Sequence, residues 1–213
     1  MRIEPLTPFQ LDALKEVANI GAAHAATALS QIVEKTILIH VTRVKVFPLG
    51  EVEKILGDPK AKSVMVQLKM LGDALGGFLL IWSWENALTL SAILKKESFR
   101  EMSNLSAMDI SALKESGSIL SAAYLQAIGD LMNLSLIPAV PELFYGEIQK
   151  ILENILNELS RRAESAFCLE TEFTESQHQL KGYFILLPDL KSLEIMLKAL
   201  GLAEPLEREV HLL

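Results

Sequence analysis

The sequence contains one cysteine and no long uncharged apolar run, and each shortage excludes a class of protein. Cys168 by itself can form neither an internal disulfide nor a multi-cysteine metal site. The segment 71–84 is the nearest approach to a membrane span, but it contains Asp73 and is shorter than the roughly 18 residues needed to cross a bilayer. We therefore expect no membrane insertion and no disulfide framework.

Basic residues are also in short supply. The chain has 20 Lys and Arg against 27 Asp and Glu, which gives a net charge of −7. This balance provides no basic footprint for nucleic acid. Residues 1–6 lack the apolar segment of a signal peptide. We expect a cytoplasmic protein whose ligand is another protein or a small molecule.

Local signatures of nucleotide and metal sites are missing as well. Neither of the standard glycine-rich phosphate loops occurs in the sequence. The histidines are scattered along the chain and do not have metal-ligand spacing; they are His24, His40, His178 and His211. We expect the protein to bind no metal or other cofactor of its own.

A row of polar residues marks the first predicted helix, which starts at Pro8 and ends near Glu34. Asp12, Glu16 and Asn19 are spaced i, i+4, i+7, so a helix places them within a wedge of about 60°. A separate apolar stripe runs along the same helix and would pack against the core. Taken alone, the row is also what a plain solvated helix face looks like. Asp12 is interpreted as structural, supporting the helix end by its charge.

The row returns in the second half of the chain as Ser111, Glu115 and Ser118. Later segments repeat too, since residues 180–187 match 75–82 almost position for position. A helix and a few strands of this size cannot bury both faces alone, so two halves should share one core. We predict a single domain, residues 1–213, with repeats over about 8–96 and 108–201. Its class is α/β (α+β): two long helices related by a pseudo-two-fold pack on a shared, mostly antiparallel sheet, with further short helices.

Periodicity and turn residues predict the individual elements. The second long helix should span residues 109–132, and Pro141 should end a strand over 134–140. The tail from Ala203 is expected to be loose. The remaining predictions are strands over 36–47, 62–70, 77–83, 165–173 and 179–187, and helices over 85–96, 148–159 and 190–200.

A carboxylate beside an amide suits one kind of chemistry. The helix face supplies no nucleophile, but Glu16 could bind a cationic partner and Asn19 could orient a water molecule. Hydrolysis of a phosphoryl group needs little more from a catalyst when its partner already holds Mg²⁺.

The two rows resemble the motif Asp/Ser-x₃-Glu-x₂-Asn-x₂₂-Pro of the CheC class of the CheC/CheX/FliY phosphatases. Residues 16–28 are very close to the first signature of that family, and the resemblance covers nearly the whole chain. It implies a hydrolase of two-component signalling that dephosphorylates the chemotaxis response regulator CheY. Glu16 and Glu115 would then dock near the regulator's active-site lysine, and Asn19 would position the attacking water. Mg²⁺ would belong to CheY, and CheD, a receptor-modifying deamidase, is a second expected partner.

Both motifs depart from the family pattern. Thr42 stands where the first motif has proline, and we interpret it as affecting only how the following strand begins. The second motif keeps Ser111, Glu115 and Pro141 but has Ser118 at the amide position. A serine hydroxyl is shorter than an amide and has one donor hydrogen where the amide has two. We predict that the first site is active and the second is impaired.

Two other functions stay open. Ser118 and Thr42 are compatible with a docking protein that binds CheD or phosphorylated CheY with weak turnover or none. A flagellar-switch subunit like FliY is the third possibility, and we favour it less because the sequence ends at Leu213 without room for a switch-binding domain.

Overall fold

The computed structural model describes residues 7–52, 56–159, 165–175 and 178–201, so the predicted tail from Ala203 lies outside the described residues. Each half begins with a long helix followed by a strand and ends with a two-stranded hairpin followed by a shorter helix. Between these parts, the described residues form a short 3₁₀ turn in the first half and a further strand and helix in the second. The helices are α1 (Pro8–Val33), α2 (Trp84–Lys95), α3 (Ala107–Met132), α4 (Ile148–Leu159) and α5 (Leu190–Ala199). The strands are β1 (Ile37–Pro48), β2 (Lys62–Gly72), β3 (Gly76–Ser83), β4 (Leu136–Pro138), β5 (Glu142–Glu147), β6 (Ser165–Glu175) and β7 (His178–Pro188).

The strands of both halves form one seven-stranded sheet in the described part of the chain, in the order β1-β6-β7-β3-β2-β4, with β5 also paired to β2. All of these pairs are antiparallel. In each half, the strand that follows the long helix pairs with a hairpin strand of the other half. β1 thus pairs with β6, and β4 and β5 pair with β2. The halves are joined by exchanged strands as well as by the central β3–β7 pair.

The sheet is covered on both faces because its strands carry buried apolar residues on both sides. Val66, Leu80 and Phe184 belong to the larger core, which the sheet shares with α1 and α3. Their strand neighbours on the opposite face belong to a second cluster, which also contains α4 residues such as Leu152. The short 3₁₀ turn Leu49–Glu51 adds Leu49 to this second cluster. The two long helices therefore lie together on one face of the sheet.

Close approach of the two long helices depends on small residues. A Cβ placed on Gly21 of α1 would lie 2.8 Å from the Tyr124 ring of α3, which is closer than real Cβ contacts come. A Cβ on Gly117 of α3 would lie 2.7 Å from Val66 on the sheet. The small-residue centres of these helices are therefore packing surfaces, and the polar rows lie on other faces of the same helices.

The predicted fold class is confirmed: two long helices pack on a shared antiparallel sheet, with further short helices. The predicted single domain of two repeats stays a prediction, although exchanged strands connect the halves. The strand expected over 134–140 is wrong in extent, because β4 ends at Pro138 and Pro141 precedes a further strand, β5. Within the described ranges, no helix is long and apolar enough to cross a membrane.

Candidate functional site

The polar row of α1 lies on the outside of the helix pair. The side chains of Asp12 and Glu16 are exposed, and Asn19 is half-buried. Val17 and Ala18, between them in sequence, are buried in the larger core. The core contacts thus fix the rotation of α1 and turn the row away from the sheet's interior. Glu16 is free to meet a partner, whereas Asn19 is partly enclosed.

One hydrogen bond encloses Asn19. The backbone N–H of Val41 in β1 donates to Oδ1 of Asn19 at 3.2 Å. A backbone N–H can only donate, so the side-chain atom that faces it must be the amide oxygen. No partner for the amide NH₂ group of Asn19 is found in the parts of the chain that the structure describes. The contact leaves that NH₂ group and one oxygen lone pair for other molecules.

Thr42 is the extra residue of a β-bulge directly after this contact. The register of β1 on β6 shifts between Val41 and Arg43, and Oγ1 of Thr42 donates to the backbone carbonyl of Glu170 at 3.0 Å. The interpretation that Thr42 affects only the beginning of the strand is wrong, because β1 begins at Ile37. Proline is compatible with a bulge position, because a bulge interrupts the ladder of hydrogen bonds in a sheet.

The second row has a different setting. Ser111 and Glu115 of α3 are exposed, as Asp12 and Glu16 are, and Ser118 is half-buried. Among the described residues the Ser118 hydroxyl has no hydrogen-bond partner. The residue at the position of Val41 is Val140, which is 83% exposed and lies in the irregular stretch between β4 and β5, next to half-buried Pro141. Ser111, Glu115 and Ser118 thus have the same burial classes as Asp12, Glu16 and Asn19. In the described residues, however, the second row has no counterpart of the hydrogen bond between Asn19 and Val41.

A buried ionic cluster fixes the start of α3, just before the second row. Asp109 is 1% exposed and accepts hydrogen bonds from Nζ of Lys95 and Oγ of Ser91, each at 2.7 Å, and from the backbone N–H of Ser106 at 2.8 Å. Burial by itself would raise the pKa of Asp109. The bonds from Lys95, Ser106 and Ser91 outweigh burial and hold that pKa well below its ordinary 3.8. The cluster ties α3 to the end of α2.

The row on α1 therefore combines an exposed carboxylate with an oriented amide, a pair able to hold a cation and a water molecule. Across the described residues, no group of three or more His, Cys, Asp or Glu side chains is arranged to hold a metal ion. The prediction from sequence missed the N–H of Val41. The constant spacing of 22 residues between the amide and the motif's proline was the available signal, because β1 runs back along α1.

Comparisons with known proteins bear on the same stretch. A family model described as the CheC-like family matches residues 9–41, which run from the start of α1 to Val41. A curated relative, the CheY-P phosphatase CheC of Bacillus subtilis strain 168, is 33% identical over 196 residues. That alignment covers 90% of this chain and 94% of the relative.

Solved structures show the same fold in distant sequences. Thermotoga maritima FliY superposes with a TM-score of 0.78 at 17% identity, covering 92% of this chain and 98% of that one. A chain of the CheX–CheY–BeF₃–Mg²⁺ complex from Borrelia burgdorferi superposes with a TM-score of 0.51 at 18% identity, covering 83% and 98%. At these identities the likeness shows the fold alone.

Proposed function

The chain belongs to the CheC-like family, and we propose that it hydrolyses the aspartyl phosphate of the phosphorylated response regulator CheY. The observation that carries the proposal is the row on α1, where exposed Glu16 lies one turn from an amide whose oxygen is already held. The B. subtilis relative is named a CheY-P phosphatase, and a chain of similar fold occurs in a solved complex that contains CheX and CheY. A cytoplasmic location is part of the proposal.

The proposed reaction needs only positioning from this protein. Glu16 binds a cationic side chain of the regulator, and the amide of Asn19 enters the regulator's site and aligns a water molecule with the phosphorus atom. The water attacks phosphorus and the bond from phosphorus to the aspartyl oxygen breaks, which yields a free carboxylate and inorganic phosphate. Mg²⁺ and the acyl phosphate are contributed by the regulator.

The two rows are proposed to differ in activity. Glu115 is exposed in the same way as Glu16, so the second row keeps a carboxylate for docking. Ser118 has a short hydroxyl with a single donor hydrogen, which reaches a recessed phosphoryl group less well than an amide does. Catalysis is therefore assigned to the first row, with Glu16 and Asn19, and a residual contribution to Glu115.

Decay of phosphorylated CheY, measured with each row altered separately, tests the proposal. Asn19→Ala should reduce the catalysed rate by about 100-fold, because the water loses its alignment. Glu115→Ala should keep most of the rate. Glu101→Ala is the matched control, since it removes an exposed carboxylate from the loop between the halves. Equal losses in the two row variants would contradict the assignment.

The second candidate function is a docking protein that binds CheD or phosphorylated CheY without efficient turnover. The observation in its favour is Ser118, which replaces the amide in one of the two rows. Substoichiometric protein added to ³²P-labelled CheY separates the candidates. Accelerated decay supports the enzyme, whereas protection of the phosphoryl group at stoichiometric protein supports docking.

A further inference from the structure

Helix α1 is bonded to the outer edge of β1 at two points. Oγ of Ser30 accepts from the N–H of Ile37 at 2.8 Å, while its own hydrogen is donated within the helix to the carbonyl of Ala26 at 2.7 Å. Oδ1 of Asn19 accepts from the N–H of Val41 at 3.2 Å. Backbone groups at every second strand residue point to the same side, and β6 occupies the other side of β1. Side chains of α1 thus cover a strand edge that has no neighbouring strand in the described part of the chain.

The second half covers the corresponding edge differently. Gly129 stands where the first half has Ser30, and a Cβ there would lie 2.5 Å from the carbonyl oxygen of Leu134. Helix α3 therefore packs directly on the main chain that follows it. Val140, at the position of Val41, lies outside β4 and β5. In the described ranges, no side chain of α3 is hydrogen-bonded to either of these strands.

From this difference we propose that the backbone N–H of Val41 is the positioning group for the catalytic amide. The inference rests on the proposed function and adds a second requirement to it. The N–H fixes which end of the Asn19 amide faces outward, so the donor NH₂ group meets the phosphoryl site without a search among rotamers. The bulge at Thr42 ends this part of the register and keeps the Val41 N–H directed at α1.

An amide alone is then insufficient for activity. Ser118→Asn would restore the side chain of the second row, but Val140 is 83% exposed and lies outside β4 and β5, so we expect it not to hold the new amide oxygen. The motif spacing accordingly describes a helix residue together with the strand residue that orients it.

Hydrogen exchange of the Val41 amide tests the contact without reference to activity. Exchange should be about tenfold faster in Asn19→Ala than in wild type, because a hydrogen bond is lost. Asn19→Asp should keep the protection, since a carboxylate accepts the same bond, yet it should fail to hydrolyse phosphorylated CheY because it cannot donate. Ile37, held by Ser30, is the internal control and should exchange equally in all three proteins.

Equal exchange of Val41 in wild type and Asn19→Ala would overturn the inference, whatever the phosphatase activity. If the exchange pattern holds and wild type does not accelerate CheY dephosphorylation, the proposed function fails separately. Replacing the Val41 amide with a backbone ester removes the N–H alone. The ester should lower kcat by about tenfold and leave KM unchanged; an unchanged kcat would contradict the positioning role.

A gain-of-function attempt completes the test. In the Asn19→Ala background, Ser118→Asn should leave phosphatase activity at the level of Asn19→Ala alone. Thermal unfolding and binding of phosphorylated CheY through Glu115 verify that the double variant is folded. Recovery to within about threefold of the wild-type rate would show that the strand contact is unnecessary and would overturn the inference.

Discussion

A side-chain amide has one acceptor oxygen and one donor nitrogen, and Asn19 directs these two atoms differently. The oxygen is held by the N–H of Val41 and the nitrogen has no partner among the described residues. Glu16, one turn earlier, is exposed. The site thus combines an amide held in one orientation with an exposed carboxylate. This combination suits a partner that first binds the carboxylate and is then aligned with the amide.

Tyr124 carries a buried polar group that lacks a hydrogen bond within the described residues. Its side chain is fully buried between α1 and the sheet, and its ring is tilted against those of Phe78 and Phe184. Its hydroxyl is the buried side-chain atom without a hydrogen-bond partner among the described residues. Burial also raises the pKa of this phenol. Tyr124→Phe should therefore raise the free energy of unfolding by about 1 kcal/mol, as measured by urea denaturation.

Tyr145→Phe is the control for the loss of a tyrosine hydroxyl, because Tyr145 is 44% exposed. We expect its free energy of unfolding to stay within about 0.5 kcal/mol of wild type. A destabilised Tyr124→Phe protein would mean that the buried hydroxyl is satisfied in solution.

Sequence and structure agree unevenly at the level of single residues. Helical spacing predicted correctly that Glu16 and Glu115 face outward, because exposure follows from the apolar stripe on the same helix. The Val41 contact could not be predicted in this way. The contact depends on the path of a strand 22 residues later in the sequence. Periodicity relates residues within one helix or strand and does not predict contacts between two elements.

At the scale of elements, the ionic cluster at the start of α3 makes stability depend on pH. The unfolded chain protonates Asp109 near the ordinary pKa of 3.8, whereas the folded protein does so only at lower pH. The stabilisation by Asp109 is therefore complete above about pH 5 and is lost as the pH falls through 4 and below. Unfolding in acid should begin with the junction of α2 and α3.

Asp109→Asn should lower the free energy of unfolding by about 3 kcal/mol at pH 7, because it leaves Lys95 without its buried partner. Urea denaturation at pH 7, 5, 4 and 3 should show this difference shrinking as the pH falls. Asp130→Asn, an exposed position on the same helix, is the control and should change little. A difference that stays constant across this range would rule out the proposed pH dependence.

The helices and the longer strands were predicted well, and the two shortest strands of the described residues were not. The sequence pattern placed α1 and α3 within two residues of their observed ends, because 26 residues supply many repeats of one period. β4 has three residues and β5 has six, and β5 contains Gly146 in a positive-φ conformation. Such segments carry too few alternations for a pattern, and their pairing with β2 defines them.

At the scale of the molecule, the exchanged strands make the halves depend on each other. β1 has its ladder partner β6 in the second half, and β4 and β5 have theirs, β2, in the first. The sequence indicated a shared core but not this exchange, because alternation specifies which face of a strand is buried and says nothing about its neighbour.

Fragments cut between Phe99 and Arg100, both exposed, should show this dependence. We expect neither fragment alone to unfold cooperatively, because each would lack the strands that complete its sheet. An equimolar mixture should regain cooperative thermal unfolding by circular dichroism, together with CheY phosphatase activity. A fragment that unfolds cooperatively alone would show that the exchanged pairs are dispensable.

The exchange of β1 has a consequence for how such a protein can evolve. A gene shortened to the half that carries Asn19 would encode a strand without the hairpin that receives it. A point mutation at Ser118 could therefore remove catalysis from the second row, while the rest of the second half would still be needed to complete the sheet. A chain whose halves exchange strands can change residues in either half, but it cannot lose one half without losing the ladder partners of the other.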